Sequence, residues 1–413
     1  MQGARKINEL PKTVVKIMLS FTQDKGHCTG CTACKAACPK QCISMVQDEE
    51  GFLYPKADME KCIDCGVCEK VCPIQSPIKP TVKQTAYAAV TRDKNIWKRS
   101  ASGGAFSEIC MAWGDESTMI VGAAWDGLNL HHISIIGTEK IAPLCKSKYV
   151  ASSLEDVFIE IKTHLKSGKK AIFCGTPCQV AGLRSCLRKN YENLLIMDLI
   201  CHGVGSSAVF KACMKAIGKQ LDSEVISYEF RAKMSAFEAD YLSSVTICRN
   251  QNRKIFLRKD PYIELFLSQK ILRPSCGKNC IFRDRQRQGD ITIADFKGLT
   301  KVFPSLIGQK YNYSTVVSNN SKGDTIIELL KNRMVMLECI IEDIEKFNPL
   351  FSRHTWFSNE RDSFFQEYNV NSEKAILHHT HQAVIYKSSL LRTIYDLLPV
   401  IVRKQVYKLR GIK

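Results

Sequence analysis

Nine of the 20 cysteines in this 413-residue chain fall between Cys28 and Cys72. Eight of them form two runs of one spacing, Cys28-Thr-Gly-Cys31-Thr-Ala-Cys34-Lys-Ala-Ala-Cys38-Pro39 and Cys62-Ile-Asp-Cys65-Gly-Val-Cys68-Glu-Lys-Val-Cys72-Pro73. In a reducing compartment, clustered thiols bind metal or do redox work more often than they form disulfides. One C-x2-C pair would leave zinc open, and inert thiols need no spacing; two complete copies with matching prolines argue against both. Pro39 and Pro73 have no N–H to donate and turn the chain away after each fourth cysteine.

The two runs are the C-x2-C-x2-C-x3-C-P pattern of bacterial two-cluster ferredoxins, which this segment resembles. Three close cysteines wrap a loop around three corners of a cubane, and the fourth reaches the other cluster. The resemblance implies one [4Fe-4S] cluster on Cys28, Cys31, Cys34 and Cys72, and a second on Cys62, Cys65, Cys68 and Cys38. Cys42 falls outside the pattern and reads as a packed thiol. Two clusters, each reachable from the surface, suit electron relay rather than substrate chemistry.

Further along, short motifs place other reactive groups. Gly175-Thr-Pro-Cys178-Gln follows one apolar run and Cys201-His-Gly follows the next, at the carboxyl ends where α/β sheets hold ligands. Arg273-Pro-Ser-Cys276-Gly-Lys-Asn-Cys280 adds two cysteines in a Pro/Gly loop, and Asp290-Ile-Thr-Ile-Ala-Asp295-Phe296 closes a strand. Ser100-Ala-Ser-Gly-Gly104 precedes an apolar helix, Ala105 to Trp113, and suits either a phosphate or a plain cap. Lys146-Ser-Lys-Tyr149 is a phosphate grip with a covering ring, or a solvated basic turn. His202 beside Cys201 either moves a proton or hydrogen-bonds and tunes what Cys201 holds. Cys174 is a core thiol or an alternative ligand. Cys110, Cys145, Cys186, Cys213, Cys248 and Cys339 have no partner at metal spacing, and neither His131-His132 nor His378-His379 has cysteine or carboxylate company in the sequence.

Taken together and in this order, the motifs from about residue 25 to about 370 resemble the coenzyme F420 hydrogenase and dehydrogenase beta-subunit family. The resemblance implies FAD in an α/β domain beside a third [4Fe-4S] cluster on Cys178, Cys201, Cys276 and Cys280. It also implies that Ser102, Gly103 and Gly104, with Ser147, Lys148 and Tyr149, lie at the flavin phosphates and Thr176 near the isoalloxazine. His202, from its own chemistry beside Cys201, is the candidate catalytic group. The chain departs from the family at its last cysteine pair, C-x3-C rather than C-x2-C, and at Lys297, where an aromatic residue often stands.

The elements that must position these groups read as a small α+β dicluster ferredoxin domain followed by an α/β domain with a mixed, flavin-binding sheet. Strands are expected at Met119 to Trp125, Ala171 to Cys174 and Leu194 to Ile200, and an antiparallel portion from Val225 to Arg231, Val245 to Arg249 and Lys254 to Leu257. A helix is expected from Leu154 to Leu165, capped by Ser152 and Ser153. The chain divides into an extension (1–24), the ferredoxin domain (25–75), a Pro-rich linker (76–84), the α/β domain (85–370) and a tail (371–413). With 45% apolar and 24% charged residues, the chain can bury a core, which excludes wholesale disorder. The apolar patch from Val14 to Phe21 is broken by Lys16 and has no cleavage site behind it, and no apolar run spans a bilayer, so a cytoplasmic location is expected.

The formal net charge is +18. Six Lys/Arg face seven Asp/Glu between Lys25 and Gln75, so the excess lies elsewhere. The tail carries seven basic residues and one acid from Val384 to Lys413, interleaved with Leu, Ile and Val, which fits a helix on an anionic membrane surface at the inner face, or one packed on the domain. Arg283, Arg285 and Arg287 are candidates to receive an acidic carrier or anionic substrate. No nucleic-acid motif accompanies the charge. Three functions follow as expectations. The first is an iron–sulfur flavoprotein reductase taking electrons from reduced ferredoxin or another carrier to an organic substrate, as in polysaccharide biosynthesis. The second is an F420-dependent electron-transfer subunit of a hydrogenase or dehydrogenase complex. The third is a basic membrane-associated protein with structural clusters.

Overall fold

The computed structural model describes residues 24–78, 80, 83–232, 242–248, 252–277, 280–309, 311–353 and 358–385. The apolar patch near residue 14 and all of the basic tail beyond residue 385 lie outside them. In the ferredoxin domain, helix α1 (Ala33–Ala37), hairpin strands β1 (Ile43–Gln47) and β2 (Leu53–Ala57), and helix α2 (Val67–Lys70) follow one another. Each cysteine run bends through two left-handed residues, Gly30 and Thr32 in the first, Asp64 and Gly66 in the second. These turns stand at equivalent places in the two runs and let each loop close on itself just before its helix.

The rest is mixed α/β. In chain order come β3 (Thr85–Thr91), α3 (Lys94–Arg99), α4 (Ala105–Trp113), β4 (Met119–Asp126), β5 (Asn129–Ile136), α5 (Val157–Lys166), β6 (Ala171–Gly175), α6 (Pro177–Leu187), β7 (Leu194–Leu199) and α7 (Ser207–Gln220). Strands β8 (Val225–Ala232), β9 (Leu242–Ile247) and β10 (Arg253–Lys259) precede α8 (Pro261–Leu267), β11 (Ile291–Asp295), α9 (Leu299–Val302) and β12 (Ser314–Ser318). Then come α10 (Ser321–Lys331), β13 (Met334–Cys339), α11 (Ile341–Phe347), α12 (Arg361–Val370), α13 (Ser372–His379) and β14 (Val384–Ile385).

Eight strands form one sheet in the order β13-β3-β12-β11-β7-β6-β4-β5. Its centre, β11-β7-β6-β4, is parallel, with Phe173 opposite Ile196 and Ile293 opposite Leu199; the flanks are antiparallel. The near-continuous apolar runs Ala171-Ile-Phe and Leu194-Leu-Ile-Met suit strands covered on both faces. Ile109 of α4 and Ile326 and Leu330 of α10 pack on one face against Ile172 and Leu195. On the other face Phe158 and Ile161 of α5 and Val180 and Leu183 of α6 pack against Phe173 and Ile196. The expected antiparallel portion forms a separate sheet, β14-β10-β9-β8, on which α7 and α12 lay Phe210, Met214 and Phe364.

Two expectations are corrected. Helix α5 starts at Val157, not Leu154, with Asp156 at its N-cap position, because Ser153 is drawn into a bridge with β5: its N–H bonds the Leu130 carbonyl at 3.0 Å and its carbonyl accepts from His132 at 2.7 Å. The arginines after Cys280 form no open basic patch. Arg283 and Arg287 are buried, and Arg285, though exposed, is paired with Glu342 and Glu345.

Arg287 and Asp198 are 1% and 0% exposed and meet at 3.2 Å. Asp198 also accepts from the Gln288 and Gly289 backbone N–H groups at 3.0 Å and from Thr292 Oγ1 at 2.6 Å, which staples the segment after Cys280 to β7. His132, 4% exposed, stacks on Phe173 with its Nδ1 2.9 Å from Ser152 Oγ; burial pushes its imidazole down to about 4.

Arg287→Met leaves the Asp198 carboxylate buried without its cation and is expected to cost about 3–5 kcal/mol in denaturant unfolding. His132 is neutral when folded but titrates near 6.5 when unfolded. The unfolded chain therefore binds the extra proton between those values, and stability falls as pH drops through that window. His132→Asn is expected to remove about 2 kcal/mol of the loss seen between roughly pH 6.5 and 5, read from melting curves of the two proteins.

Candidate functional site

Cys28, Cys31, Cys34 and Cys72 come together in the buried part of the ferredoxin domain. Burial pushes the Cys31 thiol up to about 12, and the nearby Cys72 and Cys28 add to the shift; Cys34 is raised by burial and then by Cys31, Cys28 and Cys72. Thiols that raise one another's proton affinity in this way lose that penalty when a bound metal replaces their protons. Cys38, Cys62, Cys65 and Cys68 line a second, smaller cavity, with Cys65 exposed to solvent. Cys42 is buried against it, its Sγ 3.4 Å from that of Cys38. Both sets of four thus have the donors and the convergence that a [4Fe-4S] cluster requires.

A third set assembles from three distant segments. Cys178 stands in the first turn of α6, which a capping box fixes: Gln179 Oε1 accepts from the Thr176 N–H at 2.9 Å, and Pro177 opens the helix. Cys201 follows β7, and Cys276 ends a short turn after Arg273. Burial raises Cys178 well above its ordinary value, and Cys201, Cys280 and Cys276 add to the shift in that order. Cys201 is likewise raised by burial and then by Cys280, against the lowering effect of Arg283. Arg283 clamps the loop, donating to the Cys201 carbonyl at 3.3 Å and the His202 carbonyl at 2.7 Å. The C-x3-C spacing does not prevent Cys276 and Cys280 from joining Cys178 and Cys201. Cys174 is not in the set: it lies near Lys148 and Cys110 instead.

The helix that carries Cys178 touches the first set. A Cβ at Gly182 of α6 would stand 2.9 Å from Cys31 Cβ and 3.0 Å from its Sγ, so glycine is what allows the helix this close. Cys178 is one turn earlier on the same helix, about 6 Å along its axis.

On the other side, Cys201 and Thr176 open onto a cavity of about 660 Å³. Ser102, Gly104, Ser147, Lys148, Tyr149, Thr176 and His202 all line it. Gly103 does not; it is wedged against β3 and β12, where a Cβ would lie 2.1 Å from the Ala89 carbonyl oxygen, and its N–H bonds Ser314 Oγ at 2.9 Å. Its role in the fold is close packing. Lys148 donates to the Cys145 carbonyl at 2.7 Å and, among the described residues, meets no carboxylate; burial pushes its ammonium down to about 8. Lys146 is paired with Glu229. Tyr149 and Phe266 stack at 5.1 Å, and Phe266 meets the His202 ring at 5.0 Å. Burial, then the charges of Arg283 and Lys297, push His202 down to about 4, and its Nε2 is buried without a hydrogen bond.

Sequence reasoning missed other wall residues. Arg231, left-handed at φ 54° beside a bulge in β8, holds Asp295 at 2.5 and 2.6 Å at the cavity wall. Cys145 and Cys174 also face the cavity. No local spacing marks them; only the strand order brings them together. At the surface, Glu367 approaches His378 and His379, a carboxylate neighbour the sequence did not reveal. Its candidate ligand atoms spread up to 4.8 Å, and Lys270 Nζ already lies 3.3 Å from His379 Nδ1, so ion pairing accounts for the group. Among the described residues no helix is long and apolar enough to cross a membrane.

Residues 27–76 match the 4Fe-4S dicluster domain, and residues 168–343 match the family described as the C terminus of the coenzyme F420 hydrogenase/dehydrogenase beta subunit. No curated protein matches the chain. Among solved structures, a chain of the F420-reducing [NiFe] hydrogenase complex from Methanosarcina barkeri, in a xenon derivative, is similar at 16% identity, over 72% of this chain and 93% of that one, with a TM-score of 0.43. The chain is therefore an iron–sulfur electron-transfer protein in which a 4Fe-4S dicluster domain precedes a segment related to the C terminus of the coenzyme F420 hydrogenase/dehydrogenase beta subunit.

Proposed function

We propose that the chain carries single electrons from an external carrier, such as reduced ferredoxin, through three [4Fe-4S] clusters to FAD held in the large cavity. From there an electron pair passes as a hydride equivalent to an organic acceptor. The observation that carries this reading is the converging set Cys178, Cys201, Cys276 and Cys280, whose helix α6 meets Cys31 at Gly182 and which opens through Cys201 and Thr176 onto the cavity. Once bound, the clusters supply one-electron steps and the flavin gathers them into a pair. Clusters with a purely structural role would need no such contiguity.

The residues divide the work. Exposed Cys65 leaves its cluster site open to an incoming carrier. Lys148, a half-buried ammonium with no carboxylate partner among the described residues, calls for an anion, and Ser102 and the N-terminus of α4 at Gly104 stand on the same cavity, as a dinucleotide phosphate requires. Phe266 and Tyr149 offer flat apolar surface, while Thr176 lies between cavity and cluster site, its Oγ1 3.1 Å from Cys178 Sγ. His202 is neutral at ordinary pH and presents a hydrogen-bonding ring at the wall. The cavity falls in the range of about 300–1,000 Å³ usual for cofactor sites. The family match favours coenzyme F420 as the acceptor, in a subunit working with a hydrogenase or dehydrogenase; nothing in the site singles out polysaccharide synthesis.

Anaerobically purified protein is expected to hold about 12 iron atoms, four for each of three clusters, and one FAD. Cys178→Ala should keep about eight iron atoms and lose reduction of the flavin by reduced ferredoxin. Full iron in that variant, or no flavin in the wild type, would sink the assignment.

Lys148→Met should weaken FAD binding at least about tenfold, or ~1.4 kcal/mol. Because the free ammonium loses its proton above about 8, wild-type affinity should fall from pH 7 to 9 while the Met variant stays flat, as measured by flavin fluorescence in equilibrium dialysis.

A further inference from the structure

Arg273 belongs to two cysteine sets at once. Its backbone begins the turn that carries Cys276: its N–H bonds the Val204 carbonyl at 3.0 Å, and its own carbonyl accepts from the Cys276 N–H at 2.8 Å. Its side chain runs the other way, into the ferredoxin domain, and the residue is 3% exposed. There Nε donates to the Cys28 carbonyl at 2.8 Å, Nη2 donates to the Leu53 carbonyl at 2.9 Å, and Nη2 stands 3.9 Å from Cys28 Sγ. The guanidinium lies over the Tyr54 ring at 4.2 Å and the Phe52 ring at 5.5 Å. Among the described residues no carboxylate pairs with it.

The cluster loop is shaped to receive it. A Cβ at Gly30 would meet Arg273 Nη1 at 2.9 Å, so the bare, left-handed glycine leaves room for the cation. At the equivalent place in the second run stands Asp64, an exposed carboxylate. The two loops of otherwise repeated spacing thus differ in charge where each bends round its thiols.

Burial alone disfavours adding an electron to the Cys28, Cys31, Cys34 and Cys72 site, because reduction adds negative charge away from water. A buried guanidinium beside Cys28 acts in the opposite sense and stabilises the reduced form. We propose that Arg273 is the positioning residue that holds the reduction potential of this inner cluster level with or above that of the exposed Cys65 cluster, while fixing it against the Cys276 loop. Electrons arriving at the surface then move inward without an uphill step. The inference rests on the relay proposed above, and its new content is the residue that sets the order of the two ferredoxin clusters.

The test is an anaerobic potentiometric titration of the full chain with its clusters, followed by electron paramagnetic resonance. Arg273→Gln is expected to lower the inner cluster's midpoint by at least about 60 mV, one tenfold change in a one-electron equilibrium, and to leave the Cys65 cluster where it was. Unchanged midpoints in a Gln variant of full iron content would overturn the proposal. If that variant loses iron, the wild type decides, with Cys65→Ser marking the outer signal. The marked signal must titrate no higher than the other, and a higher one overturns the proposal. A wild-type chain without two reducible clusters would instead overturn the relay on which the inference rests.

Discussion

Thiols crowded four to a group and largely shut off from water hold their protons tightly, and only a bound cation lets them stand together as thiolates. Burial lifts Cys31, Cys34, Cys178 and Cys276, and each is lifted further by its neighbours in the same set. Much of the surrounding structure follows from holding such groups together: left-handed turns that curl the ferredoxin loops, the capping box that fixes Cys178, and the Arg283 clamp on the Cys201 loop. The parallel centre of the large sheet supplies the geometry, since β6 and β7 end side by side and deliver Cys178 and Cys201 to one point.

Asp198 shows how far this support reaches. It lies in β7, three residues before Cys201, and gathers the Arg287 side chain, two backbone N–H groups and Thr292. The segment that leaves Cys280 is thereby tied to the strand that presents Cys201, so two members of the third set share one buried polar anchor. The basic run Arg283 to Arg287 turns out to serve that anchoring, with Arg285 held at the surface by two glutamates.

What was legible in the sequence was what is local. The ferredoxin ligands show as spacing because one loop supplies three of each four, and strands β6 and β7 show as apolar runs because both of their faces are covered. The third set is spread along the chain from Cys178 to Cys280; its motifs had meaning only by resemblance, and strand order was needed to see Cys178 meet Cys276. Gly103 shows a demand the motif did not announce: between two cavity-lining neighbours it packs bare against Ala89 and Ser314. Ser152 and Ser153 looked like caps because their type fits a helix start, but the pull of β5 on Ser153 delays the helix. Asp295 stood in a motif but its partner Arg231 gave no signal, since a bulge in one sheet turns the arginine toward the end of a strand in the other.

The contact between Gly182 and Cys31 has a consequence for how such a chain can change over time. A side chain at 182 has nowhere to go without pushing the dicluster domain off α6. A ferredoxin domain of this spacing looks like an exchangeable adaptor, yet a substitute here would have to present the same bare approach to the helix and the same bend at Gly30. A ferredoxin domain lacking either feature would seat farther from α6 and so lengthen the gap between Cys31 and Cys178.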